Sequence, residues 1–268
     1  MSRRFSNVVV SIHAHPDDTE AWNAGTLKLL KDQGYKIIIA TMTAGGMGGI
    51  GSDESTTISI RREEAAKAAA VLDADYYCFE GRDGYLFDTD EMRMKVTSML
   101  RKVNAGIVMT HLPMDYHPDH RVCCEIVEAA TIVAALPNVP VPEKELDVTP
   151  LLYHTAPMTL TDPIGAPIAP PQFFIDVSGV MQTKREMLQY HHSQKELMRV
   201  MHKMENFFEV VYQGNKDYGQ MVDVEYAEVF WQHLGGGFQR DPQVQEDLKE
   251  FVKYHGKGRK SYIHDIVD

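Results

Sequence analysis

The chain contains few cysteines, few basic residues and no long apolar run. Its three cysteines, Cys78, Cys123 and Cys124, include two sequence neighbours, so a disulfide framework is excluded. Its 27 Lys and Arg stand against 38 Asp and Glu, which gives a net charge of −11. Nucleic acids and anionic membranes both attract basic surfaces, so we expect neither of them as a partner.

The apolar runs are also too short for a membrane protein. The longest, such as 37–40 and 132–136, fall far short of the ~20 residues that a bilayer-spanning helix needs. Residues 1–13 lack the apolar core and cleavage site of a secretory signal. The apolar fraction of 44% and the charged fraction of 24% are ordinary for a globular protein. We therefore expect a cytoplasmic protein.

Strand and helix signals alternate over the first 130 residues. The predicted strands are 7–13, 35–43, 76–79 and 106–110. The predicted helices are 26–33, 59–72, 90–103 and 118–135. This alternation is typical of right-handed βαβ units. It predicts an α/β fold with a Rossmann-like, mostly parallel sheet flanked by helices.

The second half of the chain differs in composition, because most of the prolines lie there. Nine of the thirteen prolines lie within 137–171, which we interpret as a proline-rich insertion or rim loop with one short strand at 151–155. That segment has too few apolar residues for a core of its own, so we predict a single domain over 1–268. The remaining predicted elements are a strand at 173–177, helices at 184–190, 196–207 and 242–254, and a mobile tail from Gly256.

Two segments rich in histidine and aspartate each follow a predicted strand. One is Ala-His-Pro-Asp-Asp-Thr-Glu at 14–20, and the other is Thr-His-Leu-Pro-Met-Asp-Tyr-His-Pro-Asp-His at 110–120. Loops at the carboxyl ends of parallel strands gather in one crevice, even when they are far apart in sequence. We therefore expect five side chains to meet there: His15, Asp17, Asp18, His117 and His120.

This set of side chains suits a catalytic divalent metal, with Zn²⁺ first, held by three N/O ligands and an open position. Of two adjacent aspartates, one can bind the metal while the other takes a proton from metal-bound water. In His117-Pro118-Asp119-His120, one histidine can ligate, the other can face the substrate, and Asp119 can fix a histidine tautomer. Either segment alone is better explained by a capped turn, but two such segments together favour the metal site.

These residues resemble the paired signature of the PIG-L/LmbE-like zinc-dependent N-deacetylases. Weaker features of the resemblance are Arg61-x-x-Glu64, Lys184 preceding His191-His192-Ser193-Gln194, and Tyr226-Ala-Glu228-Val-Phe230, so that it spans roughly residues 7–230. The resemblance implies hydrolysis of an N-acetyl group on an N-acetylglucosamine-type sugar or conjugate, releasing acetate and an amine. It also implies one Zn²⁺ per chain, with Fe²⁺ as the alternative ion, and a homo-oligomer, either a trimer or a hexamer.

The resemblance further implies a role for each matching residue. His15, Asp18 and His120 would be metal ligands, and Asp17 would be the general base. His117 would stabilise the oxyanion or protonate the leaving amine, with Asp119 orienting it. Arg61 would bind substrate, although it could equally pair with Glu64 along a helix.

Several other histidines and motifs have more ordinary interpretations. His191 either lines the substrate pocket or is a plain helix-end histidine. Gly46-Met-Gly48-Gly-Ile-Gly51 matches the dinucleotide fingerprint, but no helix opens at its third glycine, so a loop is favoured. Cys124 is interpreted as a buried apolar cysteine and His111 as packed or as a partner of a ligand. His13 is expected to face away from the site, and we interpret His154 and His233 as structural.

Two alternative functions remain open. A phosphoesterase could use the same ligands, but it would need a second metal or an arginine-rich phosphate clamp. A non-catalytic sugar- or metal-binding protein belongs to a different class altogether. The presence of Asp17 argues against it, because pure binding does not require a base held off the metal.

Overall fold

Eight strands form one mixed sheet in the computed structural model, which describes residues 4–255. The predicted mobile tail from Gly256 lies outside the described residues. The strands are β1 (Val8–His13), β2 (Lys36–Thr43), β3 (Asp75–Gly81), β4 (Ile107–Thr110), β5 (Leu151–Thr155), β6 (Phe173–Asp176), β7 (Ala227–Gln232) and β8 (Val252–Lys253). Their order across the sheet is β3-β2-β1-β4-β5-β7-β6-β8.

The first five strands are parallel and form the Rossmann-like part of the sheet. β1 lies between β2 and β4, with Val10 in register with both Ile38 and Val108. All six residues of β1 are buried, which is the pattern of a parallel strand that is covered on both faces. β7, β6 and β8 extend the sheet in antiparallel pairing beyond β5.

The helices cover both faces of the sheet. They are α1 (Asp18–Trp22), α2 (Ala24–Asp32), α3 (Glu54–Ala70), α4 (Asp90–Lys102), α5 (Pro118–Val133), α6 (Met181–Gln189), α7 (His192–Met201), α8 (Phe207–Gln220) and α9 (Gln243–Asp247). One core contains Val10 of β1 together with Val96 of α4 and Ile126 of α5. The opposite core contains Val9 of β1 and Leu27 of α2. Successive strand residues thus contribute to opposite cores, as the pleat requires.

The predicted α/β architecture is confirmed, but several element boundaries differ. α3 begins at Glu54 and not at Ser59, because the Asp53 carboxylate caps it by accepting the backbone N–H of Thr56 at 2.8 Å. The predicted helix 196–207 is wrong: α7 ends at Met201 and α8 begins at Phe207. The predicted helix 242–254 is also wrong, because only α9 forms there and Val252 pairs with Ile175 of β6.

The proline-rich segment 137–171 surrounds a strand of the sheet. β5 lies between β4 and β7 and is buried along its whole length, so the centre of this segment belongs to the sheet. The loop before β5 is held by Arg101, whose guanidinium donates to the backbone carbonyl of Glu143 at 2.9 Å. In the loop after β5, Met158 lines the cleft that contains the His/Asp residues, described below. None of the described helices combines the length and apolar character needed to cross a bilayer.

Candidate active site

The two His/Asp segments meet because the strands before them are neighbours in the sheet. β1 and β4 pair in parallel, so the chain leaves both strands at the same edge. The loops then touch directly, since the backbone N–H of Ala14 donates to Nε2 of His111 at 2.9 Å. Parallel pairing thus brings together side chains that are about a hundred residues apart in sequence.

The carboxylate of Asp18 lies between two histidine rings. Its Oδ2 is 3.4 Å from Nδ1 of His15, and its Oδ1 is 3.4 Å from Nε2 of His120. Asp18 is held in place by the backbone N–H of His15, which donates to Oδ2 at 2.8 Å. All three side chains border the same cleft. The predicted ligand trio is therefore brought together, with its nitrogen and oxygen atoms facing one another.

Carboxylates also orient both of these histidines from behind. Nδ1 of His120 donates to Asp115 at 2.9 Å, which leaves the lone pair of Nε2 pointing towards Asp18. On His15, Nε2 lies 3.3 Å from both Asp119 and Asp83, while Nδ1 faces Asp18. A carboxylate behind a metal-binding imidazole is the common arrangement in metalloproteins.

Asp83 and Asp115 were not singled out in the sequence. Asp83 lies in the turn after β3, at the same edge of the sheet as the two His/Asp segments. Its position after a predicted strand is the feature of the sequence that could have identified it as a site residue. Asp115 lies inside the second segment and is fully buried. Both carboxylates add negative charge around His15 and His120.

The charge around His15 favours a cation. Burial acts to lower the pKa of His15, but hydrogen bonds with Asp119, Asp18 and Asp83 outweigh it and raise the pKa well above its usual range. Among the described residues that line the cleft, Arg61 is the one lysine or arginine. The site thus concentrates carboxylates with few fixed positive charges to balance them.

His111 also contacts Asp18, at 3.4 Å from Nε2 to Oδ2. The lone pair of that nitrogen already accepts the N–H of Ala14, however, so it is not free for a metal. The ring is fully buried and stacks on His120 with the centroids 3.9 Å apart. His111 therefore supports the His120 ring by packing against its face.

Asp17 adopts a backbone conformation that is uncommon for a residue with a side chain. Its φ is 98°, in the left-handed region, and it precedes the first turn of α1. Such backbone strain is concentrated at functional sites. Its carboxylate is buried yet borders the cleft. Burial, together with the neighbouring charge of Asp18, raises the pKa of Asp17 to about 7, which suits a general base near neutral pH.

Arg61 holds the loop that carries Asp17. Its guanidinium donates to the backbone carbonyls of Pro16 at 2.9 Å and Gly45 at 3.1 Å, and it lies 3.8 Å from the Asp17 carboxylate. A Cβ atom added to Gly45, whose φ is +67°, would lie 1.9 Å from Nη1 of Arg61. The glycine-rich loop after β2 thus makes room for this arginine, as a loop beside the site.

His117 is the N-cap residue of α5 and is half-buried at the cleft. Its Nδ1 accepts the backbone N–H of Asp119 at 3.2 Å, so in the neutral ring Nε2 carries the proton. Burial and the nearby His15 lower the pKa of His117 to about 4, which keeps the ring neutral. The expectation that the Asp119 side chain orients His117 is wrong, because that carboxylate instead contacts His15 and the N–H of Gly84.

His191 does not reach the cleft. It is fully buried, with Nε2 3.5 Å from the carboxylate of Glu20, and it lies behind the wall of the site. α7 docks on α3, where the N–H of Ser193 donates to Glu64 at 2.9 Å, and this places His191, the residue just before α7, inside the protein. Gln194 lines the cleft in its place. The expected contact of His191 with substrate is therefore not supported.

The cleft has a polar end and an apolar end and a volume of about 260 Å³. The His/Asp residues form the polar end, together with Tyr116, whose ring meets His120 edge-on. The apolar end is formed by side chains from α1, α7, α8, the loop after β5 and the segment between α7 and α8: Trp22, Met158, Leu197, Met198, Met204 and Phe207. An amide could therefore lie at the polar end while an apolar group occupies the other.

Comparison with known proteins places this arrangement in a family. Residues 10–131, which include both His/Asp segments, match the model of the PIG-L family, described as GlcNAc-PI de-N-acetylase. The diacetylchitobiose deacetylase of Thermococcus kodakarensis is 30% identical over 192 residues, which cover 69% of each chain. A probable N-acetyl-alpha-D-glucosaminyl L-malate deacetylase 2 of Bacillus cereus is 27% identical over 199 residues, covering 71% of this chain and 84% of the relative.

The fold agrees with that relationship. The N,N'-diacetylchitobiose deacetylase of Pyrococcus horikoshii, in complex with an inhibitor, superposes with a TM-score of 0.71 at 24% sequence identity. The match covers 85% of this chain and 84% of that one. The chain therefore belongs to the PIG-L family, and its enzyme class is that of the N-deacetylases.

Proposed function

We propose that this protein is a metal-dependent hydrolase that removes the N-acetyl group from an N-acetylglucosamine-type sugar or conjugate. The observation that carries the proposal is the convergence of His15 Nδ1, the Asp18 carboxylate and His120 Nε2 beside the buried carboxylate of Asp17. The relatives at 30% and 27% identity, which bear the names of sugar deacetylases, support the substrate class.

His15, Asp18 and His120 fit a catalytic Zn²⁺ ion. Two imidazoles and a carboxylate are a usual donor set for it, and carboxylates hold the outer nitrogen of each histidine. Fe²⁺ suits the same donors and remains the alternative ion. When bound, such an ion polarises the amide carbonyl and lowers the pKa of water.

Asp17 and His117 have complementary parts in the proposed reaction. The Asp17 carboxylate takes a proton from the attacking water as the water oxygen bonds to the amide carbon. The Nε2–H of neutral His117 donates to the oxygen on which negative charge develops. The carbon–nitrogen bond then breaks, and the proton held by Asp17 passes to the nitrogen. Acetate and a free amine leave.

Arg61 has a positioning part in this proposal. Two of its N–H groups are taken up by the carbonyls of Pro16 and Gly45, so it holds the backbone that carries Asp17. The cleft also offers little for the phosphoesterase alternative. An arginine-rich phosphate clamp needs several cationic side chains, and Arg61 is the one lysine or arginine among the described residues that line the cleft.

The proposal is tested by acetate release from a panel of N-acetylated amino sugars, free and as glycosides. We expect release from at least one member, loss of release after chelation, and recovery on adding Zn²⁺. The matched control is the same glycoside with a free amino group, which should yield no acetate. A metal-loaded protein that releases acetate from none of the panel would favour a non-catalytic binding protein.

A further inference from the structure

A second group of ligating side chains lies at a separate surface cavity. Glu128 comes from α5, His154 from β5, and His233 directly follows β7. The cavity has a volume of about 380 Å³, and both Glu128 and His233 line it. None of the three side chains belongs to the candidate active site, and nothing in the proposed deacetylation uses them.

Three donor atoms converge at this cavity. Nε2 of His154 is 3.2 Å from Nδ1 of His233 and 3.6 Å from Oε1 of Glu128, and the latter two atoms are 3.5 Å apart. Zinc binds nitrogen and oxygen at about 2.0–2.2 Å with tetrahedral geometry, so neighbouring ligand atoms are separated by about 3.3–3.5 Å. The three observed distances are close to the edges of such a tetrahedron.

Hydrogen bonds orient two of the three donors. Nδ1 of His154 donates to the backbone carbonyl of His111 at 2.7 Å, so Nε2 carries the lone pair that faces the other two residues. The thiol of Cys124 donates to Oε1 of Glu128 at 3.5 Å and restrains that carboxylate. An imidazole held by a backbone carbonyl through its outer nitrogen is a common arrangement for a metal ligand.

In the absence of a metal, the simplest explanation of these three short distances is one shared proton. Nδ1–H of His233 would then donate to His154 and Glu128 at once. A divalent cation replaces that proton and binds all three atoms. Side chains of Glu128 and His233 are 28% and 22% exposed, so an ion can enter from solvent.

We propose that Glu128, His154 and His233 form a second site for a zinc-like divalent cation, with its fourth position open to the cavity. The site joins α5, which carries His120, to β5 and to the segment after β7. The two sites share no side chain. They are linked through His111, whose carbonyl holds His154 and whose ring stacks on His120.

The test is metal stoichiometry of the full chain, dialysed against buffered micromolar Zn²⁺ and measured by mass spectrometry. We expect two ions per chain in the native protein and one in His233→Ala and Glu128→Gln. His120→Ala should also retain one ion, at the second site, and combining it with His233→Ala should remove both. Glu125→Gln is the matched control, since Glu125 lines the same cavity outside the trio, and it should keep two.

Glu128→Gln nearly preserves the shape of the side chain. Without metal, the unfolding midpoint of this variant should equal that of the native protein, which would show that the variant is folded. His233→Ala should still release acetate, because loss of the second ion alone leaves the first in place. This result would distinguish the second site from the catalytic one. One ion per chain in the native protein, or two in His233→Ala, would overturn the proposal.

Discussion

The ammonium group of Lys184 lies 2.8 Å from the carboxylate of Glu228, and both side chains are completely buried. Lys184 also donates to the carbonyl of Ala21 at 2.7 Å. Glu228 accepts the backbone N–H groups of Gly25 at 3.0 Å and Thr26 at 2.7 Å. The pair therefore fastens α6 and β7 to the end of α1, the helix that begins at Asp18, and to the start of α2.

Removing one partner of this pair should destabilise the protein strongly. In Glu228→Gln the Lys184 ammonium loses its counter-charge while remaining buried. We expect the free energy of unfolding to fall by about 3–5 kcal/mol, as measured by urea denaturation. Asp32→Asn is the control, because Asp32 forms an exposed helical pair with Lys28 and should change stability by only about 0.5 kcal/mol. Equal effects of the two substitutions would contradict the structural role of the buried pair.

Replacing Asp17 should separate catalysis from metal binding. In Asp17→Asn the proton acceptor is lost, whereas His15, Asp18 and His120 remain. We expect kcat to fall about 10²-fold or more while the metal content stays near normal. Acetate release and metal analysis on the same preparation check this. Metal loss as large as the activity loss would mean that Asp17 is itself a ligand.

The two histidines of His117-Pro118-Asp119-His120 should differ in their effects. His120→Ala should lose the ion at the candidate active site, because Nε2 of His120 faces Asp18. His117→Ala should keep that ion and lower kcat about 10²–10³-fold, since it removes one donor to the developing oxyanion. Metal content and steady-state kinetics of the two variants distinguish the roles. Loss of that ion in His117→Ala would favour a ligand set of His15, His117 and His120, whose nitrogen atoms also lie close together.

The contact between Gly45 and Arg61 offers a test of how Asp17 is positioned. In Gly45→Ala the new methyl group would collide with the guanidinium and displace it. We expect kcat to fall about 10²-fold, since small misplacements of a catalytic group have effects of that size. The unfolding midpoint serves to show that the variant is folded.

Gly51→Ala is the matched control for Gly45→Ala. Gly51 has a similar φ of +75° but no atom within 4 Å of an added Cβ, so it isolates the backbone cost. Its kcat should remain that of the native protein. If both variants lose activity equally, the effect comes from loop conformation and not from Arg61.

Local sequence predicted the part of the site that depends on strand order. The two His/Asp segments follow β1 and β4, and parallel pairing of these strands brings His15 and Asp18 to His120. The predicted meeting of these side chains required only alternating strands and helices and the rule that strand ends share a crevice. Their chemical roles remain predictions that the variants above address.

Other features depended on packing between distant elements. Periodicity gave no sign that α7 docks on α3 through Ser193 and Glu64, and this docking buries His191 away from the cleft. The failed helix prediction at 242–254 has a similar cause, because Val252 gains a strand partner in Ile175 that local propensity does not include.

The sequence by itself determined the α/β fold and the pairing of the two His/Asp segments, since both follow from local patterns and sheet connectivity. Only the tertiary structure decided which carboxylates stand behind His15 and His120, and which apolar side chains close the cleft. It also decided that His154 and His233, 79 residues apart, meet Glu128. Such contacts depend on how side chains from separate elements pack in three dimensions, and no local spacing in the chain encodes them.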